Sequence, residues 1–177
     1  MLKEHNADYL GVDVLQKHGK QGIVMSNVAP EFARAETEAI LQLCEKEKQY
    51  FTEHKDLVAH SSGLEENLMK CVIDSKKWVK WIPKETDIDS IIQDDKFRYK
   101  AILVCGHYFY MNEEIRKKRK ILYNNLIHYG IESNPEAYVR KNIGKSIARY
   151  ITSFQMEGLN KRVADYHMRL ERGEKFD

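Results

Sequence analysis

The sequence is poor in the features that usually place a protein quickly. Its 177 residues include only three prolines, nine glycines and three cysteines, and no Ser/Gly-rich linker divides it. No apolar run approaches the ~18 residues that a membrane-spanning helix needs. The first residues carry no apolar stretch of the kind found in secretory leaders, so the expectation is a cytoplasmic protein without a leader. Cys44, Cys71 and Cys105 lie far apart, with no CxxC pair and no histidine at a zinc-site spacing. An odd number of scattered thiols fits a reducing compartment, where small thiols fill core space. There is no Gly-rich phosphate loop, so a kinase reading gains no support from the residues, and no GxSxG or comparable nucleophile motif. A formal net charge of +2 is too small for the whole-molecule field to select a partner by sign.

What is present reads as one soluble, mostly helical unit. Hydrophobic residues make up 42% and charged residues 32%, enough for a core inside a well-charged surface. The run Gly22-Ile-Val-Met-Ser-Asn-Val28 is the one strong strand signal, bounded by Gly19 and Gly22 before it and Pro30 after it. Being apolar on both faces, it reads as a buried parallel strand, with nothing before Lys3 able to supply a neighbour. Pro30 and Glu31 then suit the first turn of a helix running to about Tyr50, with Phe32, Ala35, Ala39, Ile40, Leu43 and Cys44 at helical spacing.

Further helices are expected over 64–82, closed by Pro83, and over 88–110. The dense run 101–110 is taken as helix rather than strand, with Gly106 as its weak point. Asn112 is the expected N-cap of a helix through Tyr129, with Gly130 as its left-handed stop. Asn134-Pro135-Glu136 opens another helix, and a polar one follows from about Gly158 to Glu171.

Several stretches together resemble one family. They are His5-Asn-Ala-Asp-Tyr-Leu10, Asn27-Val-Ala-Pro-Glu-Phe32, Asp74-Ser-Lys-Lys-Trp-Val-Lys-Trp81, Lys120-Ile-Leu-Tyr-Asn-Asn-Leu126 and Phe154-Gln-Met-Glu-Gly-Leu-Asn160. In this order they are similar to the C-terminal part of the non-catalytic subunit of class II D-tagatose-1,6-bisphosphate aldolase, also labelled tagatose 6-phosphate kinase. The resemblance implies a mostly α chain: the C-terminal fragment of a (β/α)8 TIM barrel, with about one parallel strand and five helices. Residues 1–50 would be the last βα part of the barrel and 51–177 a helical C-terminal region. Met1 would fall inside a loop near the end of the barrel, so the chain is expected either to be truncated or to be completed by another chain.

The candidate site residues follow from the barrel rule that loops at the carboxyl ends of strands carry the chemistry. His5, Asn6 and Asp8 could line a sugar-phosphate pocket, or could be an ordinary polar N-terminal segment. Asn27 and Glu31 are the catalytic candidates: a carboxamide and a carboxylate that could bind hydroxyls or transfer protons. They equally suit a loop hydrogen bonder and a partner of the helix dipole. The class II aldolase reaction uses a divalent metal. The seven histidines here are dispersed, so neither a metal site nor a cofactor is expected.

Arg116-Lys-Lys-Arg-Lys120 could meet phosphates, but Glu113–Lys117 and Glu114–Lys118 are favourable i, i+4 pairs, and a solvated helix face is the expectation rather than nucleic-acid binding. Trp78 and Trp81, three apart, are expected to pack in a core or an interface.

The resulting expectation is an accessory, non-catalytic subunit-like protein of carbohydrate catabolism. Its partner would be a catalytic aldolase subunit or the missing barrel half, with homo-oligomers also open. The alternatives are a TIM-barrel sugar-phosphate isomerase, epimerase or lyase, and a helical interaction remnant without activity.

Overall fold

The computed structural model describes residues 2–55 and 60–173. Those residues are 68% helical and include a two-stranded parallel sheet. They gather into two compact units: residues through Val28 together with those from Lys145 onward, and Ala29–Gly144. Among the described residues no helix is long and apolar enough to cross a membrane.

In the first unit, β1 (Leu2–Glu4) pairs in parallel with β2 (Ile23–Ser26), Leu2 opposite Ile23 and Glu4 opposite Ser26. This corrects the expectation of about one strand without a neighbour. The strand mate is the three-residue segment just before the His5–Leu10 stretch, too short and too polar to register as a period-2 pattern. The chain crosses between the strands through the single-turn helix α1 (Val12–Leu15) and a 3-10 turn, Gly19–Gln21.

The expectation that β2 is buried on both faces is also corrected, since Val24 is 60% and Met25 58% exposed. Two strands cannot cover both faces of a sheet, and no third strand is present among the described residues. Leu15 and Ala7 supply the buried apolar positions instead.

The second unit holds the main core. α2 (Pro30–Glu53) starts with proline in its first turn and Glu31 near the positive end of its dipole. Its inward face, Ala39, Ile40, Leu43 and Cys44, packs with α3 (Leu64–Ser75), α5 (Asp95–Cys105) and α6 (Glu113–His128). Ile40, Leu43, Leu68, Val72, Ile102, Leu122 and Leu126 are wholly buried there, each contributing about 1.5–3 kcal/mol relative to exposure.

Two expected long helices are interrupted. The 64–82 helix stops at Lys76, which takes a left-handed φ of 52°, and continues as a 3-10 turn, Lys77–Trp81. The 88–110 segment divides where Asp87 caps α4 (Ile88–Ile91) and Asp94 caps α5, each carboxylate accepting backbone N–H bonds. Helix rather than strand over the apolar run is confirmed, and α5 gives way to a 3-10 turn, Gly106–Phe109, at the glycine marked as its weak point.

The break at Lys76 also separates the two tryptophans. Trp78 is 3% exposed, edge-on to Phe97 at 5.0 Å, and donates its indole N–H to Ile73 O at 3.3 Å, whereas Trp81 is 53% exposed. The shared packing expected of them is confined to Trp78.

The remaining helix signals are realised as read. Asn112 Oδ1 accepts from Glu114 N and Ile115 N at the start of α6, and Gly130 follows its end at φ 68°. Asn134 Oδ1 accepts from Ala137 N at 2.9 Å to open α7 (Pro135–Ser153), which contributes residues to both units. α8 (Leu159–Glu171) has no buried residue among those described.

Candidate functional site

Parallel strands send their following loops off the same end of the sheet, which is why polar loops gather there in α/β proteins. β1 ends at Glu4 and β2 at Ser26, and these two residues are register partners. The loop 5–10 and the turn 27–29 therefore leave one edge together. Asn27 N donates to Glu4 O at 3.1 Å, and Ala7 N donates to Asn27 O at 3.1 Å, so the pairing continues past the strands themselves.

The loop is also tied from α7. Tyr150, buried, donates its hydroxyl to Ala7 O at 3.0 Å, and Arg149 donates to Leu10 O at 2.5 Å and to Tyr150 Oη at 2.8 Å. The aromatic hydroxyl thus satisfies the carbonyl of a buried alanine. Tyr9, in the middle of this loop, takes a left-handed φ of 63° and exposes its ring.

On this scaffold His5, Asn6 and Asn27 are exposed and Asp8 is half-buried. The structure brings these four of the five candidates to one sheet edge. Glu31 lies in the first turn of α2, in the other unit, and is half-buried.

What the sequence alone did not reveal is the pair behind this edge. His18 lies only 2% exposed, with Nε2 2.5 Å from Glu4 Oε2 and Nδ1 3.0 Å from Val14 O. Its ring stands 5.6 Å from that of Phe154. A partner fourteen positions away leaves no local spacing to read.

The second unit carries two shallow hollows, of about 320 Å³ and 250 Å³. The larger is lined by Glu66, Met69, Lys70, Asp74 and Arg98 among others, and the smaller by Cys44, Glu47, Ser62 and Glu65 among others. Neither is lined by His5, Asn6, Asp8, Asn27 or Glu31. Among the described residues no three His, Cys, Asp or Glu side chains gather as a metal site.

The basic run 116–120 divides its roles. Lys117 pairs with Glu113 at 2.9 Å on the solvent face, the i, i+4 bridge expected there. Arg119 turns inward, to Glu36 Oε1 at 3.2 Å and Tyr123 Oη at 3.0 Å, with its guanidinium 5.6 Å from the Tyr110 ring centre. Burial works against its charge, but Tyr123 and Glu36 outweigh that and hold the guanidinium more firmly protonated.

Compared with family models, with curated proteins and with solved structures, the chain matches none.

Proposed function

We propose that this chain acts as an accessory, non-catalytic partner in sugar-bisphosphate aldol chemistry, corresponding to the C-terminal part of the tagatose-bisphosphate aldolase non-catalytic subunit that its motifs resemble. In this reading it derives from a (β/α)8 barrel. The observation that supports it is the order β1, crossover, β2, α2, with the strands parallel and four of the five polar candidates gathered at their carboxyl edge. That is the order in which a barrel lays down its last βα steps, and the edge at which barrels keep their sites.

Among the described residues each strand of the two-stranded parallel sheet has one edge without a strand partner, with Val24 and Met25 exposed beside it. A catalytic aldolase subunit, or the remaining barrel, adding a strand there would satisfy those amides and cover those side chains. The test is to mix the purified chain with the catalytic subunit of a class II tagatose-bisphosphate aldolase. Co-elution, with a rise in that enzyme's unfolding temperature, is expected. Separate elution and an unchanged unfolding temperature at micromolar concentrations would reject the reading.

A further inference from the structure

We propose that Glu4 and His18 form a proton-dependent clasp, which holds β1 and the loop 5–10 most firmly while the imidazole carries its second proton. The proposal stands on the geometry of the first unit and does not require the aldolase reading.

Both atoms that the ring meets are acceptors. Nδ1 faces the carbonyl of Val14 at 3.0 Å, and Nε2 faces a carboxylate oxygen of Glu4 at 2.5 Å. A neutral imidazole has one N–H and one lone pair, so it can serve only one of these partners, whereas the imidazolium serves both. With that proton gone, one of the two acceptors, Val14 O or the Glu4 carboxylate, faces a nitrogen lone pair instead of an N–H, and in either tautomer the attraction between imidazolium and carboxylate is lost.

The clasp joins three parts of the unit. Glu4 is the last residue of β1, and Val14 belongs to α1. The backbone carbonyl of His18 accepts from Ile23 N, the first residue of β2, at 3.0 Å. Phe154, just past α7, closes the remaining side with an uncharged ring. Among the described residues, Glu4 is the charged group that acts on the imidazole. The imidazole is buried and the Glu4 carboxylate partly exposed, an arrangement suited to fastening the strand end.

What it fastens is the candidate site. Glu4 O receives Asn27 N, and Asn27 O receives Ala7 N. Weakening of the clasp therefore loosens the strand end that leads directly into His5, Asn6 and Asp8.

The direction of the pH effect follows. Burial by itself lowers the imidazole's hold on its proton. The bond to Glu4, the bond to Val14 O and the charge of Glu4 outweigh it, so the folded value lies above the ordinary 6.5. A group held this way contributes its full stability below the unfolded value and loses it as pH rises through the folded one.

The experiment is an NMR titration of the full chain, following the His18 ring resonances together with amide exchange at Ala7 and Asn27, normalised to α2 amides such as that of Leu43. The expected result is a His18 midpoint above 6.5. Protection at Ala7 and Asn27, relative to α2, should fall at least about twofold as pH passes that midpoint. In Glu4→Gln the amide group can donate to a neutral imidazole, so the midpoint should drop and the pH dependence of protection should vanish. A wild-type midpoint at or below 6.5, wild-type protection that does not change through the titration, or a Glu4→Gln protein that keeps the wild-type pH dependence would each overturn the proposal.

Discussion

Ser62 gives three hydrogen bonds to the buried carboxylate of Glu47. Its N–H lies 3.1 and 3.0 Å from the two oxygens, and its hydroxyl 2.6 Å from Oε2. Asn125 Nδ2 adds a fourth bond, to Oε1 at 2.6 Å. A carboxylate so deeply buried is tolerable only because its lone pairs are occupied, and in return it anchors the segment that leads into α3 to both α2 and α6.

Removing that anchor is predicted to be costly. Glu47→Ala leaves the buried N–H and hydroxyl of Ser62 without their acceptor and removes one bond of Asn125, which keeps His60 O, and should lower unfolding free energy by about 3 kcal/mol. Ser62→Ala keeps the backbone bonds and should cost about 1 kcal/mol. Urea unfolding followed by circular dichroism measures both, and equal losses in the two variants would refute this apportionment.

Gly106 gives a case in which two effects oppose. Replacing a helical glycine with alanine usually gains about 0.5–1 kcal/mol from the unfolded chain. Here the new Cβ would stand 3.1 Å from Thr37 Cγ2 and 3.4 Å from Leu68 Cδ2. Thr37 cannot readily yield, because its hydroxyl donates to Ala33 O at 2.9 Å and accepts from Tyr110 Oη at 2.7 Å. Overpacking should therefore win, and Gly106→Ala is predicted to lose about 1–2 kcal/mol. A thermal melt showing stabilisation would contradict the tightness of this contact.

The cysteines should differ in reactivity. Burial first, and then the carboxylates of Glu65, Glu47 and Glu66, push the Cys44 thiol well up. Burial raises Cys105 as well, with Lys80 and Lys77 offsetting it only in part. Cys71 is half-buried. Since the thiolate is the reacting form, Ellman's reagent at pH 8 should modify Cys71 at least about tenfold faster than the other two. Peptide mapping after brief labelling checks the order, and early labelling of Cys44 would contradict it.

The helices were legible because their signals are local. Asn112, Gly130 and Asn134-Pro135 mark ends by backbone chemistry that acts within a few residues, and the structure uses each as read. The features that went unread depend on distant partners or on a single conformational choice. β1 is defined by β2 nineteen or more positions away, and the Glu4–His18 and Glu47–Ser62 pairs join residues fourteen and fifteen apart. Lys76 enters the left-handed region without a glycine to announce it, and that one residue turns Trp81 away from the surroundings of Trp78. For the candidate site, the barrel rule singled out loops at the carboxyl ends of strands, and His5, Asn6, Asp8 and Asn27 follow the ends of β1 and β2. The tyrosine and arginine of α7 that hold their loop came from the far end of the sequence and carried no motif.

The accessory-subunit reading is tested most directly at β2. Hydrogen exchange of the segment 23–29 should be followed by mass spectrometry, with and without the catalytic subunit of a class II tagatose-bisphosphate aldolase. Strand addition at the sheet edge predicts that exchange over this segment slows by about tenfold or more, while α2 core amides hold their rates. Identical exchange at 23–29 with saturating catalytic subunit would contradict the account.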